Sequence, residues 1–180
     1  MRVFIELAFD GTHYHGWQRQ PNSISIQEVL EDTMARMFGA PCPVMGCGRT
    51  DAGVHAKYFV AHAELPDDAL KLKDSSWGEV TMKLNGMLPE DVAIFGCHDV
   101  NLKSHARFDA VERGYTYYVH NRKDVFLQGR STRVFGDLDI DAMQMASRHL
   151  LGKRDFASFC KAGSGQGTTM CDVREARWEI

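Results

Sequence analysis

Two Ser-x-x-Glu signatures do most to limit what this chain can fold into. Ser25 with Glu28, and Ser76 with Glu79, each open a run of apolar residues at helical spacing: Ile26, Val29, Leu30, Met34 and Met37 in the first, Trp77, Val80 and Leu84 in the second. In such a box the serine hydroxyl accepts from the amide three residues on while the glutamate reaches back to the serine amide, so both mark helix starts. Gly39 stops the first helix and the second ends before Pro89. Strand patterns surround them. Val3, Ile5, Leu7 and Phe9 alternate with Arg2, Glu6 and Asp10, the period of a half-buried strand. Residues 44–48, 58–64 and 92–100 are further short strand-like runs. The order β-α-β-β-α-β is that of the split βαβ, ferredoxin-like unit, an α+β fold with an antiparallel sheet and both helices on one face. The other face is left free, and single-stranded RNA is commonly read on such a face by aromatic and cationic side chains.

From about Ser104 the pattern starts again. A strand is expected over residues 115–121, a helix over Ile140 to Leu151 closed by Gly152, and a last strand over Asp172 to Ile180. The expected organisation is a ferredoxin-like half over residues 1–103, followed over residues 104–180 by the start of a second half that is left unfinished.

Charge and cysteine content narrow the function classes. With 44% hydrophobic residues, 25% charged residues and a net charge of -3, the chain can bury a sizeable core and carries no global basic field, so a nucleic-acid partner has to be held by a local patch. Lys153, Arg154, Lys161, Arg174 and Arg177 make one locally basic region, although a scattered set of this kind is more often a solvated face. Five cysteines with no C-x-x-C pair argue against a disulfide framework and a zinc knuckle, and fit a reducing cytoplasm. A membrane span and a signal peptide are not expected, because no run of about 18 apolar residues occurs.

The stretch GRTDAGVHA, Gly48 to Ala56, falls between two neighbouring strand patterns and is read as a loop presented by a sheet. Asp51 there fits a turn, since Asp bonds its own backbone and Gly tolerates positive φ; Arg49 fits an exposed ion-pair partner for it, and His55 a structural role. The loop Asp10 to Gln20 interleaves His13, His15, Trp17 and Arg19, an aromatic-plus-cation pattern suited to single-stranded nucleic acid. Its paired histidines have no acidic or cysteine ligand at a recognised zinc spacing, so no metal is expected.

Three motifs, AFDGTHYHGWQRQ at Ala8 to Gln20, GRTDAGVHA, and HARFDAVERGYTYYV at His105 to Val119, resemble the tRNA pseudouridine synthases of the TruA type. The likeness runs along the whole chain. It implies a homodimer of two ferredoxin-like halves flanking a positively charged cleft, acting on uridines at positions 38 to 40 of the tRNA anticodon stem-loop without a metal or organic cofactor. It further implies that Asp51 is the nucleophile, that Arg49 helps to displace the target base and that Tyr115 stacks on the target uracil. Trp17 and Arg19, from the interleaved loop, and Arg107 are the additional substrate contacts expected. Family members continue for a substantial further stretch, which supplies a second basic residue, apolar pocket wall and dimer contact.

The chemistry suits an aspartate. A free Asp side chain, with an ordinary pKa of about 3.9, is ionised near pH 7 and needs no neighbouring base, whereas Ser or Thr would. Attack at C1′ and elimination to a glycal both remain open. Two other functions stay in view. RGYTYYVH begins like the RNP1 strand of a non-catalytic RRM-like RNA-binding module. A glycosidase-like hydrolase would need a second carboxylate, and none is obvious.

Overall fold

The computed structural model describes residues 1–66, 76–160 and 168–180. They divide into two compact units, Met1–Tyr117 and Tyr118–Ile180.

The first unit is the expected split βαβ. Strand β1 (Arg2–Phe9) alternates half-buried and buried residues without exception, so one face carries Val3, Ile5, Leu7 and Phe9 into the core. Helix α1 (Ile26–Phe38) starts where Ser25 Oγ accepts from the Glu28 amide and ends at Gly39, whose φ of 70° is the left-handed conformation that glycine adopts without a Cβ clash. Strands β2 (Val44–Gly46) and β3 (Ala56–Glu64) are antiparallel neighbours. Helix α2 (Trp77–Asn85) carries the reciprocal capping box, Glu79 N–H to Ser76 Oγ at 3.3 Å and Ser76 N–H to Glu79 Oε2 at 3.1 Å. Strand β4 (Val92–Asp99) completes an antiparallel sheet in the order β2-β3-β1-β4. At the bulge in the β1–β4 register, Asn85 replaces a missing strand by donating to Ile94 O and accepting from Ile94 N–H, both at 2.8 Å.

Ile26, Leu30 and Met34 of α1 and Val80 and Leu84 of α2 are buried against the Val3–Ile5–Leu7–Phe9 face. Each side chain of this kind stabilises the fold by about 1.5–3 kcal/mol relative to exposure. On the opposite face Tyr58 and Phe95 are exposed, and Glu6 binds the Tyr58 hydroxyl and His98 Nε2, each at 3.0 Å. Part of this face is covered. Residues 104–109 cross it with Ala106 buried, held by Ala106 N–H to His62 Nδ1 at 3.1 Å and Arg2 Nη1 to Ser104 O at 2.6 Å.

The second unit departs from expectation in three places. The strand expected over residues 115–121 is reduced to β5 (Val119–His120), which pairs in parallel with β6 (Thr132–Arg133). Aromatic residues favour strand only where a neighbour offers a ladder, and among the described residues Tyr115 and Tyr117 have none. Helix α3 (Ile140–Ser147), capped by Asp139, stops before Leu151. The Ser147 hydroxyl donates to Met143 O at 2.9 Å, the back-bond that weakens helix interiors, and a 3₁₀ turn follows. The last strand is β8 (Met170–Val173) rather than 172–180, because its partner β7 (Gly152–Asp155) offers four residues to pair with.

Candidate active site

Loop 48–55 leaves the sheet at the end of β2. Cys47 N–H still donates to Val60 O on β3 at 2.8 Å; beyond it the chain has no strand partner until β3 begins at Ala56. The loop is nevertheless braced at several backbone points. Trp17 N–H donates to Thr50 O at 3.3 Å, Gly53 N–H to Tyr14 O at 3.1 Å, and Val54 N–H closes a turn on Asp51 O at 3.3 Å. Arg113 donates from Nε and Nη2 to Cys47 O, at 3.0 and 2.6 Å.

The brace is the loop that follows β1. Its own position is fixed by His15 N–H to Ile24 O at 3.0 Å, Ile26 N–H to Gly16 O at 3.3 Å and Gln27 N–H to Trp17 O at 3.0 Å, so it is seated on the start of α1. Tyr14 is buried, and its hydroxyl donates to Asp91 Oδ1 at 2.5 Å; burial first, and then that carboxylate, push the phenol well above its ordinary range. Two glycines let the loops touch backbone to backbone. A Cβ on Gly11 would fall 2.0 Å from Val54 O, and one on Gly16 2.2 Å from Thr50 O, with Gly16 also at a φ of +87°. At the far end His55 Nδ1 lies 2.9 Å from Asp10 Oδ1 and 3.1 Å from Gly11 N.

Within this frame Asp51 and Arg49 are exposed, and among the described residues no side-chain hydrogen bond or ion pair engages either one. They do not form the ion pair that their spacing offers. Tyr115 is 65% exposed, two residues beyond Arg113 in the segment that follows the 104–109 crossing. Arg107 is half-buried in that crossing, its guanidinium 5.8 Å from the centre of the Phe108 ring.

Two expected substrate contacts have other employment. Trp17 is 2% exposed, with its ring 4.4 Å from that of Phe59 and 6.1 Å from that of Phe9, so it is a core side chain rather than a platform for a base. Arg19 lies along α1, within 3.5 Å of Glu28, 3.1 Å of Glu31 and 3.3 Å of Asp32, with its pKa raised chiefly by Glu31; three carboxylates already answer its charge. Of the basic set in the second unit, Arg177 is paired with Glu175 and Glu179, Arg154 bonds Leu151 O, and Lys161 lies outside the described residues. Among the described residues no group of three or more His, Cys, Asp or Glu could hold a metal ion, and no helix is long and apolar enough to cross a membrane. Gly11, Gly16, Tyr14 and Arg113 were not singled out by sequence, though all four lie inside the first or third motif.

The family model described as tRNA pseudouridine synthase matches residues 7–109, from within β1 to the end of the 104–109 crossing, with the braced loop at its centre. Among curated proteins, the chain is similar to tRNA pseudouridine synthase A of Porphyromonas gingivalis, 42% identical over 98% of this chain and 69% of the relative. The proteins of the same name from Bacteroides fragilis and Bacteroides thetaiotaomicron are each 42% identical over 98% of this chain, covering 68% and 64% of their own lengths. The chain thus spans about two thirds of the length of these relatives.

Proposed function

Because this chain belongs to the tRNA pseudouridine synthase family, we propose that it isomerises uridine to pseudouridine in tRNA, with Asp51 as the nucleophile and the anticodon stem-loop uridines at positions 38 to 40 as targets. The observation that carries the assignment is an exposed, unengaged carboxylate on a loop whose backbone is fixed at Cys47, Thr50 and Gly53. A floppy loop could not hold the acid against a sugar carbon, because effective attack needs the reacting atoms about 3–3.5 Å apart and aligned.

The reaction neither oxidises nor reduces. The N1–C1′ bond breaks with its electron pair going to the uracil, which then turns within the site. C5 bonds to C1′, the C5 proton is lost and N1 regains one, so the atoms of substrate and product balance. In the substitution route the Asp51 carboxylate attacks C1′ and holds the ribose as an ester until C5 displaces it, as a retaining glycosidase holds its sugar. In the elimination route the sugar loses its C2′ proton to give a glycal while the carboxylate stabilises developing positive charge, and C2′ takes a proton back as C5 bonds to C1′. Both need the nucleoside out of its stack, at a cost of about a few kcal/mol. Arg49, exposed two residues before the acid, is assigned to fill or hold the vacated space, and Tyr115 to stack on the extruded uracil. A reducing cytoplasm is the proposed compartment, as five free thiols suit it, and a homodimer is the proposed assembly, from the family resemblance.

The RRM-like alternative loses its main support. RNP1 aromatics act from a strand, and Tyr115 to Tyr118 form none. The test is incubation of the purified chain with an unmodified tRNA transcript, followed by carbodiimide treatment and primer extension. Stops at the anticodon stem-loop uridines with unchanged RNA mass are expected. Absence of stops at every uridine contradicts the assignment, and loss of uracil mass would indicate a hydrolase instead.

A further inference from the structure

We infer that Arg113 is a positioning residue that clamps the stem of the Asp51 loop to the segment carrying Tyr115. The inference rests on the roles proposed above for those two residues. Arg113 Nε and Nη2 both donate to Cys47 O, at 3.0 and 2.6 Å, and Nη2 also donates to Arg107 O at 2.7 Å. One planar guanidinium therefore joins two carbonyls that are 60 residues apart in the chain.

The place of the clamp gives it consequence. Cys47 is the last residue before the loop with a strand hydrogen bond, its N–H tied to Val60 O, and Arg113 holds the carbonyl of the next peptide, the one that joins Cys47 to Gly48, which fixes the direction in which the loop departs. Asp51 follows four residues later. On the other side, Tyr115 lies two residues beyond Arg113, so the same side chain sets where the segment bearing the tyrosine leaves the 104–109 crossing. A Cβ on Gly48 would lie 3.6 Å from Arg113 Nε, at ordinary contact distance, so the guanidinium packs directly over the first residue of the loop. An arginine suits the position because its rigid fork meets two carbonyls at once; a lysine ammonium keeps the charge but not the fork.

Arg113→Lys and Arg113→Ala are tested by hydrogen exchange and by steady-state kinetics on tRNA. Faster exchange is expected in both variants at the hydrogen-bonded amides that frame the loop, those of Cys47, Gly53 and Val54, with the amides of β1 unchanged. A fall in kcat of roughly 10²-fold is expected, the cost of about 1 Å of misplacement, with KM for tRNA held. Ethylguanidinium, but not ethylammonium, should restore kcat to Arg113→Ala. Unchanged exchange in the loop overturns the clamp, as does a rise in KM at constant kcat, which would make Arg113 a phosphate contact. A wild-type chain that makes no pseudouridine removes the proposed function, and exchange alone then decides whether the clamp stands.

Discussion

Gly16→Ala is the perturbation that most sharply separates a braced catalytic loop from an ordinary surface turn. The new Cβ would fall 2.2 Å from Thr50 O, and Gly16 has a φ of +87°. A left-handed conformation costs a non-glycine residue about 1–2 kcal/mol. Relieving the overlap requires the loops to part by about 1 Å, since non-bonded atoms settle near 3.5 Å. That separation breaks Trp17 N–H to Thr50 O, already 3.3 Å long and worth about 0.5–1.5 kcal/mol. The combined loss is about 2–3 kcal/mol, and for a chain of this size the melting temperature should fall by about 4–12 °C. The effect on rate is expected to be larger than stability alone explains: Thr50 adjoins Asp51, and displacement of about 1 Å at a reacting group can cost roughly 10²-fold. Gly39→Ala supplies the control. It too has positive φ, 70°, but its Cβ would meet nothing within 4 Å, so it should lower stability by about 1–2 kcal/mol and leave the rate of uridine isomerisation intact. Pseudouridine formation and thermal unfolding are measured on both. Equal rates in the two variants would refute the idea that contact between these loops holds the acid in place.

Other expectations follow from the same geometry. Trp17→Ala should cost about 3–5 kcal/mol in chemical denaturation by emptying a core site, with any loss of tRNA affinity tracking the unfolded fraction; a stable variant that binds tRNA weakly would restore Trp17 as an RNA contact. His62 is buried and its pKa is lowered, first by desolvation and then by Arg2 and His105. The unfolded chain therefore binds the proton more readily, so the stability this group contributes is complete above its ordinary value of about 6.5 and declines as pH falls from there through the lowered folded value. Protonation also removes the lone pair that accepts from Ala106 N–H. Urea titrations between neutral and mildly acidic pH should show this decline in the wild type and a shallower one in His62→Gln.

The first unit was legible because each of its elements is written locally: strict alternation in β1, a serine cap at each helix and a glycine at the end of α1. The loop bearing Asp51 was legible for the same reason, as a break between two strand patterns. What was not legible depended on distant partners. Trp17 looks like a nucleic-acid contact beside His15 and Arg19, and only its packing against Phe59, 42 positions on, buries it. Arg19 looks like a free cation until α1 brings Glu28, Glu31 and Asp32 beneath it. The alternation of Tyr115, Tyr117 and Val119 reads as a strand, yet a ladder needs a neighbour, and the sequence pattern does not say that one is missing. Arg113 carries no local signal at all, because its three hydrogen bonds go to carbonyls that any residue possesses.

The group proposed to perform the chemistry is the Asp51 carboxylate. Asp51→Asn keeps the shape of the side chain and removes its charge, on a loop held by its backbone rather than by that side chain. The measurement is single-turnover pseudouridine formation on an unmodified tRNA transcript, alongside tRNA binding by filter retention. Product should disappear while affinity stays at the wild-type level; a variant that forms pseudouridine as fast as the wild type would contradict the account.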